Sequence, residues 1–356
     1  MIEEKQSKPA LGVFQKYLTV WVLLCMALGV VLGKFVPGFA SFFSSLSVAQ
    51  INIPLAVLIW LMVFPMMLKI DFSSLKNVGK HPKGLFLTWV VNWLIKPFTM
   101  YGLACLFFFV VFKGLIPTGL AQEYLAGAVL LGAAPCTAMV FVWSSLSDGN
   151  PAYTLIQVAT NDLIILIAFV PIVALLLGVG GIAIPWLTLI LSVVFYIVVP
   201  LVVASLVRLF VVKRKGLDYL NEKIIHRLDP LTMVGLLLTL TIVFSLQAEL
   251  IWENPLHILL IAVPLVIQTY LIFAISYSGA KLLKLPYDVA APAGMIGASN
   301  FFELAIAVAL AVFPTQPAVA LATIVGVLTE VPIMLTLVKI AKATKGWFPS
   351  REETHS

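Results

Sequence analysis

Long apolar segments separated by short polar ones run along almost the whole chain. Cutting the sequence at charged residues, prolines and glycines leaves ten apolar segments of about 20 residues or more, the length that an α-helix needs to cross a bilayer core about 30 Å thick. They are predicted over residues 17–36, 48–68, 84–112, 124–146, 151–177, 183–207, 230–249, 255–280, 288–313 and 317–338. The pattern therefore predicts an all-α polytopic membrane protein with ten transmembrane helices.

Composition identifies the surroundings of these segments as the lipid bilayer. Hydrophobic residues make up 62% of the chain and charged residues 11%, whereas a soluble domain carries about 25% charged residues because its surface faces water. Soluble enzymes and nucleic-acid-binding proteins are therefore excluded. The net charge of +6 does not indicate a nucleic acid partner, since the basic residues follow the membrane topology.

Lysine and arginine are distributed unequally between the two sides of the predicted spans. If the N-terminus is cytoplasmic, 19 of the 22 basic residues fall in cytoplasmic tails and loops, Lys34 and Lys113 fall outside, and Lys96 lies within a span. The positive-inside rule therefore predicts cytoplasmic N- and C-termini, in the inner (plasma) membrane of the cell. Lys16 before the first apolar segment also resembles a signal peptide, but acidic residues precede it and no clear cleavage site follows.

Two stretches of similar sequence indicate an internal repeat. Residues 132–136 (Gly-Ala-Ala-Pro-Cys) and 297–301 (Gly-Ala-Ser-Asn-Phe) are each followed by a helical run, a proline turn and an acidic residue. Because five helices per half is an odd number, the two halves must be inverted in the membrane, an arrangement typical of secondary transporters. The predicted units are a cytoplasmic tail 1–16, a first five-helix repeat 17–177, a second repeat 178–338 and a cytoplasmic tail 339–356.

Four ionisable residues fall inside the predicted spans: Lys96, Asp162, Glu303 and Glu330. A charge at the bilayer centre costs roughly 2.5–3.5 kcal/mol on the insertion scale, so each needs a partner or a function. The three acids lie about 16–22 Å from the N-terminal ends of their helical segments, which places them at mid-membrane. They either bind a proton or cation or only hydrogen-bond neighbouring helices, whereas Lys96 is either an interfacial anchor or part of an internal ion pair.

The three cysteines lie in apolar segments without the spacing of a disulfide or zinc site. Cys25 and Cys105 are interpreted as small packing residues. Cys136 follows Pro135, which interrupts the helix, and lies at the depth of the acids, so it is either a soft ligand for a substrate or a packing residue. The histidines fall in loops or the tail and no catalytic motif occurs, which makes an intramembrane enzyme a weak alternative. No cofactor and no metal site are predicted.

Four motifs resemble those of the arsenite efflux permeases, a branch of the bile acid/arsenite/riboflavin transporter superfamily. They lie at residues 132–144, 157–163, 298–307 and 329–332. The likeness extends through essentially all ten spans, and the cysteine-containing motif is specific to these permeases. It implies two inverted five-helix repeats, a panel and a core domain, and fourth and ninth helices that are broken and cross. It also implies an essential thiol at Cys136, an essential acid at Glu330 and, at Glu303, a position that helps to bind the coupling cation in sodium symporters.

The resemblance implies export of trivalent arsenic by proton antiport, with arsenite, or antimonite, as substrate. Arsenite is neutral at pH 7, so uphill export requires a second species, and its arsenic atom favours soft sulfur. One thiol with carboxylate and amide partners allows release where three thiols would not. The predicted substrate-binding residues are Cys136, Glu330, Asn300 and Asn161, and the predicted proton-coupling residues are Glu330, Glu303 and Asp162. The alternative is a sodium-coupled organic anion symporter of the same fold, in which the acids bind sodium.

Overall fold

The computed structural model describes residues 17–48, 51–70, 82–137, 139–253 and 255–349. The predicted N-terminal tail, 1–16, and the end of the predicted C-terminal tail lie outside the described residues. Within these described ranges, the only strands are an antiparallel pair of two residues each, β1 (Ser47–Val48) and β2 (Ile51–Asn52).

Fourteen helices occur in the described part of the chain. They are Leu18–Phe35 (α1), Phe39–Ser45 (α2), Ile53–Lys69 (α3), Pro82–Val111 (α4), Thr118–Gly132 (α5), Met139–Leu146 (α6), Pro151–Val179 (α7), Trp186–Lys215 (α8), Leu217–Leu246 (α9), Ala248–Glu253 (α10), Pro255–Leu282 (α11), Tyr287–Ala298 (α12), Phe302–Val312 (α13) and Pro317–Ala343 (α14). A 3-10 turn follows at Lys345–Trp347.

The length and apolar character of these helices confirm the predicted all-α membrane class. Six of them, α4, α7, α8, α9, α11 and α14, are long and apolar enough to cross a membrane, and α1 with α2, bent by 94°, is a seventh candidate. Large side chains such as Leu94, Ile167 and Leu209 are exposed on the outer faces of these helices. Exposure of these side chains to lipid carries no cost, because the bilayer core is itself apolar.

Two of the predicted spans are broken helices. The fourth consists of α5 and α6 with a break after Gly132, and the ninth consists of α12 and α13 with a break after Ala298. In the first break Pro135 lacks the backbone N–H that would continue the helix. In the second, Ser299 is extended, with φ −81° and ψ 145°.

Proline also explains the wide turns inside two long helices. A π-helical turn at Val91–Ile95 precedes Pro97 in α4, and another at Val194–Val198 precedes Pro200 in α8. A proline ring clashes with the carbonyl four residues earlier and supplies no N–H to it, so the backbone opens locally and the helix continues.

The helices pack in two groups. In the first, α9 packs against α1 and α3, and α8 packs against α3. In the second, α11 packs against α4, α12 and α14, and α14 packs against α5 and α13. The two broken helices thus belong to the second group, although α13 also contacts α3 and α8 of the first.

Hydrogen bonds and an ion pair define the two ends of the second group. At one end Asp148 lies 3.9 Å from Lys342, and the Asn150 N–H donates to the Asp288 carbonyl. At the other end the Glu123 carboxylate accepts the N–H of Ala318 at the start of α14. These are called the Asp148 end and the Glu123 end below.

Close packing of α5 on α14 leads to a stability prediction. A Cβ atom at Gly127 would overlap the Val319 carbonyl oxygen and the Ala322 side chain, and small residues of this kind permit membrane helices to approach. Gly127→Val should therefore destabilise the fold by roughly 1–3 kcal/mol, which lowers the thermal unfolding temperature in detergent. Gly119→Val, where no atom lies within 4 Å of the new Cβ, is the control. Equal destabilisation by both variants would contradict this packing.

Candidate functional site

The two helix breaks lie against each other and pair through their backbones. Cys136 donates its N–H to the Ser299 carbonyl at 3.3 Å, and Phe301 donates to the Ala134 carbonyl at 3.1 Å, so that Pro135 and Asn300 form an antiparallel bridge. Backbone groups left free by a helix break must find partners inside the protein, because the bilayer core offers none. Each break in this way supplies hydrogen-bond partners for some of the free backbone groups of the other.

Glu330 joins this crossing from the middle of α14. Its Oε1 atom accepts the Ser299 hydroxyl at 2.5 Å, and its Oε2 atom accepts the Asn300 N–H at 3.2 Å. The Asn300 amide stands just before α13, where the helix dipole favours a negative group. A carboxylate with a side-chain donor, a backbone donor and a helix N-terminus is thereby fixed beside the break.

Lys96 reaches the same crossing from α4. Its Nζ atom donates to the Ser299 carbonyl at 2.5 Å, and its side chain is 1% exposed. It interacts electrostatically with Glu330 and with Cys136. The interpretation of Lys96 as an interfacial anchor is therefore wrong, and its ammonium group is instead the counter-charge of Glu330, with Ser299 hydrogen-bonded to both.

Burial distinguishes the three cysteines. Cys136 is buried in the first break, whereas Cys25 and Cys105 are only partly buried, in α1 and α4. The Cys136 thiol is close enough to Lys96 to interact with it electrostatically. A soft sulfur atom, an ammonium group and a carboxylate thus surround the crossing.

Two further predicted residues lie beside this cluster. Glu303 is buried in the first turn of α13, interacts electrostatically with Glu330, and its Oε2 atom has no hydrogen-bond partner among the described residues. The Asn300 side-chain oxygen is likewise unpartnered in the described part of the chain. Two acceptor atoms that nothing in the described chain uses are therefore available at the crossing.

Asn161 and Asp162 lie on α7 and are buried, but no hydrogen bond of the described residues links them to Glu330. The Asn161 side-chain oxygen accepts the Trp93 indole N–H at 3.1 Å. Both carboxylate oxygens of Asp162 lack a hydrogen-bond partner among the described residues. The described residues thus link Asn161 to α4 but place neither residue in hydrogen-bond contact with Glu330.

Sequence reasoning did not single out Ser299, and it left Lys96 open between an interfacial anchor and an internal ion pair. Lys96 lies 12 residues after the predicted start of its span at residue 84, about 18 Å along a helix, which is too far for its side chain to reach the interface. That distance was the available signal. Ser299 had no comparable signal, because its importance depends on the approach of two chain segments 203 residues apart.

The crossing combines one thiol, hydrogen-bond acceptors and an ammonium group. Hard oxygen ligands in greater number would suit a hard metal ion, whereas one soft sulfur with oxygen acceptors suits a small species that has a thiophilic atom and hydroxyl donors. A single thiol also keeps binding reversible, as passage through a membrane protein requires. These groups could therefore bind a small species of that kind.

Known membrane transporters are similar to this chain over most of its length. Residues 55–254 match the model of the Sodium Bile acid symporter family. The chain is 58% identical over 339 residues to the arsenical-resistance protein Acr3 of Alkaliphilus metalliredigens, covering 95% of each chain. It is 46% identical to an uncharacterized transporter of Synechocystis, covering 96% of this chain and 92% of that one, and 31% identical to the Acr3 protein of Corynebacterium glutamicum, covering 94% and 90%.

Proposed function

Because the chain belongs to the sodium bile acid symporter family, in its arsenical-resistance Acr3 branch, we propose that it exports arsenite from the cytoplasm and confers arsenic resistance. Family membership makes it a transporter rather than an enzyme. Buried Cys136 beside Lys96 and Glu330 is the observation that supports a thiophilic substrate. Antimonite, which also favours sulfur, is the second candidate substrate.

We propose that ten membrane crossings form two inverted repeats, 17–177 and 178–338. In each repeat two helices are followed by a long helix, a broken helix and a final long helix that begins with proline, at Pro151 and Pro317. The group containing α1, α3, α8 and α9 would be the panel domain, and the group containing both broken helices would be the core domain. Helices broken near the midplane, at a repeat interface, are where transporters of this kind bind substrate.

The unequal distribution of basic residues supports cytoplasmic termini, which a labelling experiment tests. A cysteine at Lys213, at the C-terminal end of α8, should react with an impermeant maleimide only from the cytoplasmic side. A cysteine at Lys113, just after α4, should react only from outside. Both substitutions, Lys213→Cys and Lys113→Cys, should be made in a variant that lacks the three native cysteines. Reaction of Lys213→Cys from outside would contradict the ten-span arrangement.

In the proposed binding step the Cys136 thiol displaces one hydroxyl of arsenite, so that an As–S bond replaces an As–O bond, the thiol proton leaves with that hydroxyl as water, and the bound arsenic keeps two hydroxyl groups. Its hydroxyl groups donate to Glu330 and to the side-chain oxygen of Asn300, which is unpartnered in the described chain. Asn161 on α7 completes the substrate-binding set. Because the bound species is neutral and is held by one soft ligand, release on the far side does not require breaking several strong bonds.

Proton antiport is the proposed source of energy, with Glu330, Glu303 and Asp162 as the coupling residues. Export of a neutral molecule against its gradient requires a coupled ion, and each entering proton gains roughly 2.3 kcal/mol per 100 mV. Glu330 is the proposed carrier because it is the carboxylate at the crossing itself, where the Ser299 hydroxyl and the Asn300 N–H donate to it. Glu303 and Asp162 would tune its environment.

Arsenite uptake into everted membrane vesicles tests this function. A vesicle with an acidic, positive interior should accumulate arsenite in exchange for protons, and collapse of the gradient by an uncoupler should stop accumulation. The family match favours a sodium-coupled organic anion symporter as the alternative. Transport that depends on sodium and is unaffected by the uncoupler would support that alternative instead.

A further inference from the structure

Polar side chains follow one another at intervals of four along α4. Thr88, Asn92 and Lys96 occupy this spacing, four residues after Gly84, which places them on one face of a helix, and all three side chains are at most 1% exposed. From Gly84 to Lys96 this row spans about 18 Å. It runs from the Asp148 end of the core to the ammonium group at the helix crossing.

A second row on α7 faces the first. Tyr153, Gln157 and Asn161 are also four residues apart and buried. The Thr88 hydroxyl lies 3.1 Å from the Tyr153 hydroxyl, and the Gln157 amide donates to the Gly84 carbonyl at 3.3 Å. The α4 and α7 residues together, Thr88, Asn92, Gln157 and Asn161, are called the polar row below.

Several atoms of the polar row have no hydrogen-bond partner among the described residues. They are both side-chain atoms of Asn92, the Gln157 side-chain oxygen and the Asn161 side-chain nitrogen. An unsatisfied polar group at membrane depth costs several kcal/mol, and buried water is the usual partner where two or more such groups converge. The π-helical turn at Val91–Ile95 includes Asn92 and opens the α4 backbone there.

We propose that the polar row is a hydrated pathway that conducts protons between the cytoplasm and Lys96 with Glu330. Direct bonds between α4 and α7 toward the Asp148 end, Thr88 to Tyr153 at 3.1 Å and Gln157 to Gly84 at 3.3 Å, hold the helices too close for a molecule with three hydroxyl groups. A file of water molecules requires less room. Protons and arsenite would then reach the crossing by different routes. The direction of proton movement rests on the proposed antiport, whereas the hydration does not.

Cysteine accessibility tests the hydration without any transport. In a chain lacking the native cysteines, Asn92→Cys and Gln157→Cys should react with silver ion from the cytoplasmic side at least about tenfold faster than control cysteines, because a thiolate forms only where water is present. Leu94→Cys, on the lipid-exposed face of α4, and Ala104→Cys, at a fully buried apolar position of α4, are the controls. Equal rates at positions 92, 157 and 104 would overturn the proposal.

Transport by two leucine variants tests conduction. Asn92→Leu, which breaks no hydrogen bond of the described chain, and Gln157→Leu should slow proton-driven accumulation at least about tenfold, while arsenite–arsenite counterflow, which moves no net protons, continues. Gln247→Leu is the matched control, since Gln247 is also a buried glutamine with an unpartnered oxygen in the described chain, at the end of α9.

The outcomes separate the two proposals. Wild-type rates of proton-driven accumulation in both leucine variants would overturn the pathway, even if the row reacts with silver. If the wild-type protein shows no proton-driven accumulation, the proposed antiport fails, and the silver reaction still decides whether the row is hydrated.

Discussion

Cys136→Ser is expected to reduce arsenite export by at least about a hundredfold, which corresponds to roughly 2.8 kcal/mol of lost substrate binding. Serine keeps the size and the backbone bond to Ser299, but its hard oxygen is a poor ligand for arsenic. Export should be measured in intact cells as resistance and in everted vesicles as initial rate. The fold should persist, because Cys136 does not contribute the backbone break itself.

Cys25→Ser and Cys105→Ser are the matched controls for this prediction. Both cysteines lie in apolar helices outside the two breaks and are only partly buried, so we expect neither thiol to contribute to the crossing. Both variants should keep wild-type export. If Cys136→Ser cells stay fully resistant, Cys136 is a packing residue and the thiol-binding step of the proposed function is wrong.

Much of the helical architecture could be predicted because length and hydrophobicity determine it. Helix boundaries were predicted wrongly where charged residues lie within a helix. The seventh span was predicted from residue 230, since Glu222, Lys223 and Arg227 precede it and Pro230 resembles a boundary. The helix instead begins at Leu217 and includes Pro230, because charged residues are accommodated where a helix extends beyond the bilayer core.

The candidate site could be predicted in part. A proline break beside Cys136 and the depth of the acids are visible in the sequence, because both follow from local composition and helix rise. The hydrogen bonds from Ser299 and Asn300 to Glu330 are not visible, since they require two breaks to meet in space. Depth alone also grouped Asp162 with Glu330, whereas no bond of the described chain joins them. Helix rise gives depth but not the direction in which a side chain points.

Glu330→Gln is expected to eliminate gradient-driven arsenite accumulation. One proton per arsenite supports roughly 50-fold accumulation at about 100 mV, and without a proton carrier the ratio should fall to equality. Glutamine retains the geometry, because one oxygen of Glu330 already lies within hydrogen-bond distance of both Ser299 and Asn300, and a glutamine oxygen can take that place. Arsenite binding through Cys136 should survive in part.

The effect of this substitution on Lys96 must be separated from its effect on coupling. Removing the carboxylate leaves a buried ammonium group without its counter-charge, which destabilises a fold strongly. Glu330→Gln should therefore unfold at a lower temperature, and the double variant with Lys96→Gln should recover stability without recovering accumulation. Glu330→Asp keeps a proton-binding group one methylene farther back and should retain partial activity. If Glu330→Gln pumps arsenite at the wild-type rate, the proton is carried elsewhere, and Glu303 and Asp162 are the residues to test next.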